Sequence, residues 1–124
     1  MTNFRSILPA LAALVLTAAP AMAGDAAAGS KVFKTQCGVC HRAEAGKNLI
    51  GPSLYGIVGR PSGSIPGFKY SAANQAAKLT WDVATLDVYL TNPRAKVPGT
   101  TMTYAGLKNE TQRADLIAYL ETLK

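Results

Sequence analysis

Cys37-Gly38-Val39-Cys40-His41 sets two thiols three residues apart and runs them directly into a histidine. A chain with this run must fold so that both sulfurs and the imidazole meet one object. The spacing suits covalent haem attachment: the thiols add to the two vinyl groups of a protoporphyrin, and the imidazole reaches the iron from one face. A zinc site normally takes four ligands, but the chain holds only 2 cysteines and 1 histidine. A thioredoxin-like pair would follow a strand in a βαβ pattern, and no such pattern precedes residue 37. A plain disulfide leaves His41 unexplained.

An export signal accompanies the motif. Residues 1–23 carry one charge, Arg5, then a run rich in Ala, Leu and Val from Ile7 to Ala19, and end in Ala21-Met22-Ala23. These are the parts of a cleaved secretory signal, with cleavage expected after Ala23. The competing reading is a membrane anchor, but Pro9 and Pro20 interrupt the segment and leave it short of the ~20 apolar residues a spanning helix needs.

Residues 24–124 are then one small domain, which would draw much of its core from a haem. Loss of Arg5 lowers the formal charge by one from the +6 of the whole chain. Nucleic acid does not fit as the basic chain's partner, because the cations between Lys31 and Lys124 form no dense run, no nucleic-acid motif is present, and the signal directs the chain out of the cytoplasm. An acidic protein partner fits better.

The pattern is all-α: helices joined by glycine- and proline-rich loops, with no convincing strand. Asp25 is placed to cap a helix over 26–37, with Gly29, Phe33 and Cys37 on one face. Residues 42–70 read as a long ordered loop whose Leu49, Ile50, Leu54, Tyr55, Ile57 and Val58 call for burial. Ser71 caps a short helix over 72–77. Thr80 caps another with Val83, Leu86 and Leu90 on its stripe, ending before Pro93. Residues 92–103 read as loop. Asn109, with Gln112 as its box partner, opens a last helix whose stripe is Leu116, Tyr119, Leu120 and Leu123.

In this order the motifs resemble class I cytochrome c, similar to the mitochondrial carrier and its small bacterial periplasmic relatives. The resemblance covers essentially all of 24–124. It rests on the run from Cys37 to His41, Gly51-Pro52-Ser53-Leu54, Tyr70-Ser71-Ala72-Ala73-Asn74 and Trp81. It continues through Tyr89-Leu90 with Asn92-Pro93, Val97-Pro98-Gly99-Thr100 before Met102, and the segment from Arg113 to Leu120. It implies one haem c, covalent through Cys37 and Cys40, wrapped by helices and ordered loops.

His41 is the first iron ligand. The residues leave Met102, a lysine or an open site for the second. Met102 is favoured because it lies between Thr101 and Thr103 in a proline-glycine loop, where a methionine that merely filled a core gap would be out of place; the resemblance implies its ligation too. The resemblance further implies that the Pro52 carbonyl accepts the other ring N–H of His41. Tyr89 would direct its hydroxyl at the Met102 sulfur, with Asn74 and Thr100 nearby, while Arg60, Tyr70 and Trp81 would bind the haem propionates. Gly29 and Phe33 would meet Leu116 and Tyr119 where the first and last helices cross.

The expected function is a soluble, monomeric, periplasmic electron carrier rather than an enzyme. It would touch the membrane only peripherally and serve transient acidic partners such as a cytochrome bc-type reductase and a terminal oxidase or photosynthetic reaction centre. If Met102 did not bind the iron, a haem-based ligand sensor or peroxidase-like enzyme would be the alternative. The chain departs from the mitochondrial pattern at Gln36, Ala95, Thr101, Asn109 and Glu110, where lysines are expected, and at Tyr104, where phenylalanine is usual. Arg94, Lys96 and Lys108 keep part of the basic ring.

Overall fold

The computed structural model describes residues 13–15 and 24–124. Apart from 13–15, the expected signal segment lies outside the described residues. Five helices follow in chain order: α1 (Ala26–Gln36), α2 (Ala72–Ala77), α3 (Val83–Thr91), α4 (Pro93–Lys96) and α5 (Glu110–Glu121). Among the described residues the only β-pairing is an isolated antiparallel bridge between Pro61 and Thr80.

Short polar side chains start each helix by accepting N–H groups that the first turn leaves unpaired. Asp25 accepts from Ala27 and Ala28, Ser71 from Asn74, and Asn109 from Gln112. α1 ends one residue before the expected position, so Cys37 is its C-cap rather than its last turn. The cap of α3 is Asp82, which accepts from the Thr85 N–H at 2.7 Å; Thr80 is instead held in the bridge to Pro61. The stretch expected as loop from residue 92 contains α4, because Asn92 accepts from the Ala95 N–H and Pro93 stands at the first helical position, where its missing N–H costs nothing.

The frame is the crossing of α1 and α5. Gly29 lies so close to α5 that a Cβ would come 1.8 Å from the Asp115 carbonyl oxygen. Phe33 and Tyr119 meet with ring centroids 5.3 Å apart, and Asp115 accepts the Asp25 N–H at 2.8 Å. The buried positions of α5 are Arg113, Leu116, Ile117 and Leu120, the i, i+3, i+4, i+7 series of one helical face. Ile117 and Arg113 thus join the expected stripe, and Tyr119 and Leu123 flank it half-buried. α3 adds Leu86, Tyr89 and Leu90 to the core, whereas Val83 is exposed.

The long loop over 42–70 divides its apolar residues. Ile57 is buried and Leu54 and Val58 pack against the core, but Leu49, Tyr55 and Ile50 are exposed, the last at 79%. The expectation that all six are buried is therefore corrected. The chain near Ile50 turns outward because Gly51 donates its N–H to Cys40 O, and Leu49 closes a local bond to Gly51 O.

Gly29→Ala should force α1 and α5 apart, since the clash is with backbone and no rotamer relieves it. The cost should be about 3 kcal/mol, at the upper end of the usual overpacking range. A thermal melt of the haem-loaded protein should show the midpoint lowered by roughly 10–20 °C.

Candidate haem site

The turn that follows α1 sets up the attachment residues. Cys40 and His41 both donate their N–H groups to Cys37 O, at 3.1 and 2.9 Å. Cys37 and Cys40 are half-buried and unpaired as thiols. Burial, reinforced by the neighbouring Cys40, raises the Cys37 pKa to about 11.

His41 is fixed from two sides. Its Nδ1 lies 2.7 Å from Pro52 O; a carbonyl only accepts, so Nδ1 carries the proton and Nε2 keeps a free lone pair for a metal. Burial lowers the imidazole pKa, outweighing the upward pull of the Pro52 carbonyl, and Arg60 lowers it further. The ring is therefore neutral, as a ligand must be. Gly51 presses on its face: a Cβ there would sit 2.2 Å from Cε1 and 2.6 Å from Nδ1. Ser53, fully buried, pins this segment by donating to Glu44 O at 2.6 Å and accepting from the Tyr55 N–H. Neither Gly51 nor Ser53 was singled out as a site residue from sequence, though both belong to the Gly-Pro-Ser-Leu run.

At the other expected ligand, the Tyr89 hydroxyl donates to Met102 Sδ at 3.6 Å. The Met102 N–H donates to the Thr100 hydroxyl at 3.2 Å, so Tyr89, Thr100 and Met102 do come together. Burial raises the Tyr89 pKa to about 12, with Thr100 pulling weakly the other way, which keeps its proton available to the sulfur. Trp81 packs against Tyr89 at a tilt of 51°, with centroids 4.6 Å apart.

The residues expected around the propionates are incompletely satisfied. Arg60 donates through Nη1 to Ser53 O at 3.0 Å and Tyr55 O at 3.2 Å, yet its buried Nε has no partner. Burial lowers the Arg60 pKa, with Tyr70 acting in the opposite direction; a charge held against desolvation beside an unused donor suits a carboxylate. The Tyr70 hydroxyl accepts the Ile65 N–H at 3.0 Å and keeps its own proton to donate. Asn74 Oδ1 is likewise buried without a partner. Orphaned polar atoms of this kind call for a group beyond the polypeptide, and the residues present fit a haem. A cavity of about 280 Å³ is lined by His41, Gly38, Phe33, Arg42 and Tyr119 and touches none of Trp81, Tyr89 and Met102.

Two departures from the mitochondrial pattern meet. The Tyr104 hydroxyl donates to Gln36 Oε1 at 3.0 Å, tying the methionine loop to the last residue of α1. The hydroxyl that phenylalanine lacks is used by the amide that stands where a lysine was expected.

The profile of the Cytochrome c family matches residues 26–124. The chain is 48% identical to "Cytochrome c" of Euglena viridis over 101 residues, covering 82% of this chain and 99% of that one. It is 53% identical to "Cytochrome c" of Chlamydomonas reinhardtii over 106 residues, 85% of this chain and 95% of the relative. With "Cytochrome c2" of Rhodomicrobium vannielii it shares 52% over 112 residues, 90% and 89% of the two chains.

In a spectrophotometric titration of the haem-loaded protein, Tyr89 should ionise near pH 12, and Tyr89→Phe should remove that step. A tyrosine whose folded pKa lies above its unfolded value of about 10 contributes stability that is complete below pH ~10 and is lost as pH rises through 12. The parent should therefore lose stability in that window faster than Tyr89→Phe does.

Proposed function

This chain belongs to the cytochrome c family and carries haem c on Cys37 and Cys40; from that premise we propose that it is a soluble, exported, single-haem electron carrier with His41 and Met102 as its axial ligands. The observation that most supports the reading is the pair of arrangements made around those two side chains. Pro52 O fixes the His41 tautomer at 2.7 Å, and the Tyr89 hydroxyl addresses the Met102 sulfur.

When bound, the iron supplies a reversible one-electron couple, which histidine and methionine together bias toward the reduced state. The chain's part is to hold ligands and exclude water. His41 is oriented by Pro52 and Gly51 and so presents the same nitrogen in either oxidation state. Tyr89 withdraws electron density from the sulfur through its hydrogen bond, which favours the reduced state further. Arg60, Tyr70 and Trp81 would receive the propionates, with Asn74 and Thr100 in the polar surroundings of Tyr89 and Met102. With His41 and Met102 both holding the iron, no position would be left for a substrate. The only histidine is committed to the iron, which leaves no imidazole for acid–base work.

Partners would be acidic redox proteins, a bc-type reductase on one side and an oxidase or photosynthetic reaction centre on the other, met in the periplasm. Arg94 and Lys96 are exposed in the last turn of α4. Lys108 is exposed too, although its Nζ donates to Thr91 O. Charge complementarity of this kind speeds encounter more than it tightens the complex.

Met102→Ala should lose the sixth ligand, lower the reduction potential and open the iron to carbon monoxide. Redox titration and carbon monoxide difference spectra check this. A variant with the parent's potential and spectrum would exclude Met102 as the ligand and leave the sensor or enzyme alternative to be tested.

Electron-transfer rates with an acidic partner should fall as salt shrinks the Debye length from ~10 Å at 0.1 M to ~3 Å at 1 M. Lys96→Glu should lower the second-order rate several-fold at low salt, chiefly through association. Stopped-flow kinetics over a salt series measures both effects. A rate indifferent to salt and to the reversal would mean that docking uses apolar contact or another face.

A further inference from the structure

The segment between α3 and α5 carries Met102, and its two ends are fastened to each other. Leu107 donates its N–H to Leu90 O at 2.7 Å, and Lys108 Nζ donates to Thr91 O. Gly106 adopts φ 114, where only glycine is at ease, and lies so close to the other end that a Cβ would meet Thr91 O at 2.3 Å. Backbone thus rests on backbone where the loop leaves and rejoins the body of the protein.

Arg113 spans this junction. It is 8% exposed and occupies the first position of the buried stripe of α5. Its Nε donates to Asp87 Oδ1 of α3 at 2.6 Å, and Nη1 donates to Leu107 O at 3.0 Å and Lys108 O at 3.4 Å. Among the described residues it forms the only ion pair. One guanidinium therefore joins α3, α5 and the returning end of the methionine loop. An apolar residue would fill the stripe without the desolvation that a buried charge incurs. What the arginine adds is a fork that holds two loop carbonyls, aligned by a carboxylate behind it.

We propose that Arg113 and Asp87 form a clasp that sets how readily the Met102 loop opens, making them positioning residues for the methionine ligand although neither supplies it. This rests on the reading of Met102 as a ligand. Loops that carry ligands can open locally at a cost below that of global unfolding, and the clasp acts on that local step.

Asp87→Asn keeps the shape of the acceptor and removes its charge; because Asp87 is half exposed, the effect should be modest. In the oxidised, haem-loaded protein, free imidazole can reach the iron only while Met102 is displaced. Its association rate should rise about fivefold in Asp87→Asn. Hydrogen exchange at the Leu107 amide should quicken by a similar factor. Arg113→Lys, which keeps the charge but loses the fork, should behave likewise. Asp115→Asn makes the same change at the other face of α5, keeping an acceptor for the Asp25 N–H but removing its charge, and serves as control: the melting midpoint falls, while imidazole entry and Leu107 exchange stay at parent values.

Equal imidazole rates in the parent and Asp87→Asn, or the same rise in Asp115→Asn at matched loss of stability, would overturn the clasp. Absence of the methionine–iron absorption band from the oxidised parent would instead overturn the ligand reading, and Leu107 exchange would then still decide whether Asp87 and Arg113 hold the loop.

Discussion

The bond from His41 Nδ1 to Pro52 O is the constraint on which the rest of the site depends. It does three things at once. It fixes which nitrogen is protonated, it fixes the plane of the ring, and it draws the start of the long loop against the turn that bears both cysteines. The bond needs a residue at position 51 that can lie flat on the imidazole. A Cβ there would overlap the ring, so Gly51 and Pro52 work as a pair. Further along, Ser53 is buried with its hydroxyl bonded to Glu44 O, which stops the carbonyl from swinging away. Orientation of the proposed iron ligand is thereby built from backbone, which neither titrates nor changes rotamer when the charge on a metal changes.

Electrostatics follow the same economy. The desolvated guanidinium of Arg60 has its Nη1 committed to the carbonyls of Ser53 and Tyr55, leaving Nε free. A half-buried positive charge with an unused, buried donor is unfavourable in the polypeptide alone and becomes favourable when an anion fills the gap. Asn74 Oδ1 is a second unpartnered buried atom, an acceptor that calls for a donor rather than an anion. The Arg60 group that would bind a propionate is held in place by the polypeptide's own carbonyls. A small domain whose middle is mostly loop gains its order from such preorganised contacts as well as from apolar burial.

Much of this was legible in the sequence, and the exceptions have physical causes. The attachment run and the Asp25, Ser71 and Asn109 caps follow from spacing and short polar side chains, signals that survive without tertiary context, while the α1–α5 crossing at Gly29 and Phe33 was implied by the family resemblance. α4 was missed because Asn92-Pro93 reads equally as a stop for α3 and as a cap followed by proline for a new turn; only packing decides, and here Asn92 does both. Asp82 took the cap of α3 from Thr80 because Thr80 was drawn into a bridge far away in sequence. Ile50 and Leu49 carry hydrophobicity but no period, so nothing in the loop's sequence says which way they face. Arg113 was hidden for the opposite reason: a charged residue on an apolar stripe looks like its end, and its two loop carbonyls and Asp87 become visible only in three dimensions.

The two proposed ligands are held by unlike means, and the difference has a consequence for function. His41 sits one residue from a covalent anchor, on a turn that continues a helix, and is steadied by a carbonyl eleven residues away. Met102 belongs to a long loop whose order comes from its ends, from Tyr104 reaching Gln36, and from Tyr89 on the sulfur. Closing a longer loop costs more chain entropy, so the methionine side is where conformational freedom remains and where a fastened junction matters most. The substitution of Gln36 and Tyr104 at positions expected to carry lysine and phenylalanine gives up a cation at the rim and gains a bond across it. At this edge the chain has exchanged long-range attraction for local fixation of the loop that bears its methionine.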